Sequence, residues 1–152
     1  MNKPDKSKTC GMKISIDEAG SDYLINIKET ALQGYDKKQA SGSISVVITG
    51  TSLGSGDEQL GKALMQGYLY GLKHATNTPK CIILVNRGVL LATEGSEALP
   101  ELKALAEKGL EIVSSQASLD FYGLVGRLAV GSAADMKEIV ERMHGSDYAV
   151  SL

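Results

Sequence analysis

Tryptophan is absent from this chain, and phenylalanine occurs once, at Phe121. A core without large aromatics must be aliphatic, built from Val, Ile, Leu, Ala and Met. Cysteine is scarce as well. Cys10 and Cys81 cannot form a disulfide framework, so both are read as reduced thiols of a cytoplasmic protein. Positive charge is not in surplus: 16 Lys and Arg face 18 Asp and Glu, for a net charge of −2. That argues against nucleic acid as the main partner, because phosphate binding needs a basic excess. No apolar run approaches the ~20 residues of a membrane span, which argues against a membrane partner. The opening MNKPDKSKTC lacks the apolar centre of a signal peptide. No metal-ligand spacing occurs, and no motif calls for a cofactor.

What is present is one organising stretch, residues 43–72. It begins SISVVITG, continues through the Gly- and hydroxyl-rich TSLGSGD, and ends EQLGKALMQGYLYGL. The first piece is β-branched. In the last, Leu60, Leu64, Tyr68 and Leu72 recur at helical spacing. Strand, Gly-rich turn and helix open an α/β sheet. The rest repeats the alternation. CIILV at 81–85 reads as a strand buried on both faces. SEALPELKALAEKG carries a helix with Leu99, Leu102 and Leu105 as its apolar stripe, Pro100 near its start and Gly109 at its end. Residues 110–113 form the next strand and 119–122 a short helix. A short strand at 128–130 precedes a helix capped by Ser132, with Met136, Ile139, Val140 and Met143 on its inner face. An edge strand at 148–152 closes the chain. The pattern predicts a three-layer α/β/α domain over 43–152, with a mostly parallel sheet of about five strands and helices on both faces.

Residues 1–42 read differently. The first ten are polar and expected to be disordered. Met12, Ile14 and Ile16, then Tyr23, Ile25 and Ile27, alternate with other residues as a β-hairpin would. Residues 29–42 read as a linker. A lone hairpin is marginal in water and needs a support.

In parallel sheets, ligands bind outside the carboxyl ends of the strands. Four loops are expected there: 51–57, 86–93, 114–123 and 131–133. The first offers Thr51, Gly54, Gly56 and Asp57 at a helix start, a possible anion site. Its Ser55-x-x-Glu58 pattern reads as the helix cap. It lacks the Walker lysine, and Asp57 puts negative charge where a phosphate would sit. Beside Asn86, Arg87 could bind an anion or pair with Asp120 or Glu94. Asp120 and Tyr122 lie in the third loop, where Asp120 reads as an acid, a base or, more simply, a helix cap. His74 and His144 fall near helix ends, where a dipole favours them. Cys81 opens a buried strand and reads as an inert core thiol, whereas Cys10 has no neighbours to activate it. Gly61, Gly67 and Gly71 in one helix suggest close backbone approach to the sheet or to a neighbour.

Three blocks resemble a known family: VVITGTSLGSGDEQLGKALMQGYLYGL, ILVNRGVLLATEGSEALPELKALAEKGLEI and SLDFYGL. They are similar to the C-terminal, DsrE-like domain of YedF-like proteins, which are sulfurtransferase-like and linked to selenium metabolism. The resemblance covers 43 to the end. It implies a three-layer fold, a sulfur-relay role, a sulfur-carrier protein as partner and a homo-oligomer. GMKISIDEAGSDYLINIK resembles the closing strand pair of a TusA-like module, without that module's Cys-Pro motif. Relatives carry Cys-x-x-Cys before the LDxYG block, and the matching positions here are Ser115 and Ser118. A hydroxyl is far less acidic than a thiol and cannot hold sulfur as a persulfide. The resemblance therefore implies an accessory member. The alternatives are a small-anion or small-ligand binding module, and an assembly protein without catalysis.

Overall fold

The structure, a computed structural model, describes residues 42–152. The expected hairpin, the linker and Cys10 lie outside the described residues. Five strands form one sheet, ordered β4-β3-β2-β1-β5, and every pairing is parallel. They are β1 Ile44–Ile48, β2 Cys81–Leu84, β3 Glu111–Ser115, β4 Ser132–Ala134 and β5 Tyr148–Ser151. Four helices join them: α1 Glu58–His74, α2 Leu99–Glu107, α3 Gln116–Phe121 and α4 Met136–His144.

Side-chain alternation sorts the strands into two cores. Val46, Ile48, Ile82, Leu84 and Ile112 pack with Met65 and Leu69 of α1 and Leu102 and Leu105 of α2. On the other face Val47, Cys81, Ile83 and Val113 pack with Ala134 of β4 and Ile139 of α4. The result is the expected α/β/α sandwich. Each fully buried Leu or Ile contributes about 1.5–3 kcal/mol of transfer free energy, so the continuous apolar run of β2 stabilises both layers at once.

Local signals account for most boundaries. Asp57, extended at φ −64° and ψ 132°, accepts the Leu60 N–H at 2.8 Å and caps α1. The Ser55-x-x-Glu58 expectation is thereby corrected: Glu58 is already the first helical residue. Pro100 stands in the first turn of α2, and Gly109 follows its end at φ +91°. Ser132 does not cap α4. Asp135 does, in a reciprocal box with Glu138, at 2.8 and 3.0 Å.

Four further expectations are corrected. β3 runs to Ser115, so Ser114 and Ser115 are buried strand residues rather than loop. β4 is Ser132–Ala134 and not 128–130, so 131–133 is largely strand as well. Leu128 instead bridges antiparallel to Thr93, and the Ala129 N–H donates to the Ala92 carbonyl. Gly131, at φ +77°, then turns the chain where a Cβ would stand 2.4 Å from the Ile112 carbonyl oxygen. Of the α1 glycines, only Gly61 is tightly packed, against Ser52 and Leu53; Gly67 and Gly71 face open space. The α4 stripe is only partly internal: Ile139 is buried, while Met136 and Val140 are exposed.

Candidate functional site

The carboxyl ends of β2 and β3 deliver two segments to one place. After β2 the chain enters a 3-10 segment, Asn86–Ala92. Gly88 is required there, because a Cβ would lie 2.1 Å from the Ile48 carbonyl oxygen. This packs the segment directly onto the end of β1. After β3 the chain turns at once into α3.

A hydrogen-bond network ties the two segments together. Tyr122 Oη donates to Asn86 Oδ1 at 2.8 Å. The Asn86 N–H donates to Ser118 Oγ at 2.9 Å. The Ser118 N–H donates to Ser115 Oγ at 3.3 Å, which makes Ser115 the cap of α3. Asn86 sits at φ 51°, the one non-glycine residue in the left-handed region among those described. Asn tolerates that region better than most side chains. The expected site residues Asn86, Ser115, Ser118 and Tyr122 are therefore brought into one network.

Asp120 lies beside this network but does not cap α3, correcting that expectation. Gln116 Nε2 donates to its Oδ1 at 2.9 Å, one turn away. Arg87 pairs with neither of its expected partners. Glu94 faces Arg127 at 3.8 Å, Asp120 is held by Gln116, and Arg87 makes no ion pair among the described residues. Its charge does reach α1. The Glu58 carboxyl is held below its usual range, first by Lys62 and to a smaller degree by Arg87. The amino end of α1 is already occupied by the Asp57 carboxylate. Thr49 is committed elsewhere, donating to the Leu152 carbonyl at 2.8 Å.

The chemistry available here is limited. The Ser115 and Ser118 hydroxyls each accept a backbone N–H, and among the described residues neither is hydrogen-bonded to a histidine or a carboxylate. His74 and His144 end α1 and α4, at the opposite end of the sheet. Cys81 is also at that end, the first residue of β2, 2% exposed. Burial, with the Glu111 charge second, pushes its thiol up to about 12. At neutral pH such a thiol stays protonated, which leaves it inert as a nucleophile. Shallow depressions of about 160 and 200 Å³ also lie at the amino-terminal end, the larger lined in part by Cys81, Glu111 and Arg142. Among the described residues no group of His, Cys, Asp and Glu could hold a metal ion, and no helix is long and apolar enough to cross a membrane.

Sequence reasoning missed three features. Gln116 holds Asp120, a contact signalled by its i, i+4 spacing. Phe121, the chain's lone phenylalanine, is 81% exposed and meets the Tyr122 ring edge-on at 5.1 Å. Ser114 Oγ is buried without a hydrogen-bond partner among the described residues, and no sequence signal marks it.

Comparison with known proteins places this geometry in a structural group. No protein-family profile matches the chain, and no curated protein matches it. Solved structures do. The crystal structure of the YchN protein from E. coli superposes with a TM-score of 0.57 at 15% identity, over 72% of this chain and 98% of that one. MTH1491 from Methanobacterium thermoautotrophicum, a protein of unknown function, does so with a TM-score of 0.53 at 16% identity, over the same 72% and 98%. At such identities the likeness is one of fold: this chain carries the five-stranded parallel α/β architecture of DsrE-like proteins.

Proposed function

We propose that this chain is an accessory member of a sulfur or selenium relay, of the YedF-like kind, that binds its partner without carrying sulfur itself. One observation carries the reading. Ser115 and Ser118, which match the Cys-x-x-Cys positions of relatives, sit at the carboxyl end of β3 and accept backbone N–H bonds. A sulfur carrier needs a thiolate there, and a hydroxyl in that place keeps the helix cap while losing the cargo site. The partner in this reading is a sulfur-carrier protein, and the working state is a homo-oligomer.

The test is exposure of the purified chain to a persulfide donor, read by intact mass and peptide mapping. The expected result is no sulfur on Cys81 and no enrichment of Cys10 over a model peptide thiol. Stable sulfur on Cys81 would overturn the reading.

A second reading, a small-anion binding module, is favoured by Arg87. That residue lies just beyond β2, in the 3-10 segment Asn86–Ala92, and makes no ion pair among the described residues. Asp57 weighs against it, because its carboxylate occupies the helix end where the anion would bind. Calorimetric titration with inorganic sulfate separates the two. Binding that disappears in Arg87→Ala supports the module, and no heat in either protein removes it.

A further inference from the structure

We draw no further inference here: the strongest candidate, the uncharged edge strand Tyr148–Ser151 with Tyr148 and Val150 open to solvent, carries nothing because nothing in the structure shows what covers it.

Discussion

Two adjacent serines in β3 have opposite hydrogen-bonding fates, and they should respond oppositely to the same substitution. Ser115 Oγ caps α3, so Ser115→Ala should lower stability by about 1 kcal/mol, the usual loss for a cap. Ser114 Oγ is buried and unpartnered. Ser114→Ala removes an unsatisfied hydroxyl and should be neutral or stabilising. Urea melts of the two variants check the pair, and equal losses would mean that Ser114 has a partner after all. Asp147 offers a pH test. Its carboxylate accepts both the Ser43 N–H, at 2.7 Å, and the Ser43 hydroxyl, at 2.9 Å. Those bonds hold it below its ordinary value of 3.8. A depressed carboxylate stabilises the fold above its unfolded pKa and loses that contribution as pH falls through the folded one. The stability gap between the natural chain and Asp147→Asn should therefore be steady above about pH 5 and shrink as pH falls below about 4. A gap that stayed constant down to acid pH would show that the carboxylate's charge is not what matters. Neither serine's role was legible beforehand, because a boundary placed at Val113 turned two strand residues into loop. Hydropathy marks where apolar residues end, whereas a strand ends where its pairing ends, and Ser114 and Ser115 pair with Ala133 and Ala134.

The helices carry predictions of their own. Gly67 and Gly71 of α1 have nothing within 4 Å of an added Cβ. A glycine in a helix interior is worse than alanine by about 1 kcal/mol, so Gly67→Ala and Gly71→Ala should each raise stability by roughly that amount. Gly61→Ala should lower it, since its Cβ would meet Ser52 Cβ at 2.8 Å. Thermal melts of the three variants rank them, and a destabilising Gly67→Ala would mean that this face is packed in solution. Spacing alone could not separate these glycines, because all three break the helical preference equally. What distinguishes them is the loop that folds back over the first turn only. The elements with the strongest patterns were readable as elements: CIILV as a doubly buried strand, which ends one residue sooner at Leu84, and α1 from its leucine spacing, although its cap is Asp57 and its buried residues are Gly61, Met65 and Leu69. β4 was not, since SAA has no hydropathy to read. Its position follows from Gly131 turning the chain and from pairing with β3. The α4 boundary was readable in principle from Asp135-x-x-Glu138, but Ser132 offered an earlier cap.

At the scale of the molecule, the sheet separates two kinds of chemistry. The carboxyl end holds the Asn86–Ser118–Ser115–Tyr122 network, and the amino end holds the described chain's one cysteine, buried. The alternation of elements made the architecture legible, because each apolar run had one place to go in a two-sided sheet. The site was legible only as a surface. Loops 51–57 and 86–93 were located correctly by topology, but the links between residues depend on the left-handed Asn86 and on helix α3, which short-range patterns do not encode. Cys81 in turn tests the integrity of the whole domain. Its thiol should label with an alkylating reagent only as fast as the fold opens, and denaturant should accelerate the reaction in step with unfolding. Rapid labelling in native buffer would contradict its burial. In the proposed function, the β3–α3 corner keeps the form of a sulfur-handling loop without its thiols. The most direct measurement is peptide-mapped mass spectrometry of a Ser115→Cys/Ser118→Cys variant, with Cys10→Ser and Cys81→Ser removing the native thiols, after exposure to a persulfide donor. Sulfur retained on position 115 or 118, with the fold intact, is the predicted result. A folded variant that takes up no sulfur at either position would contradict the account.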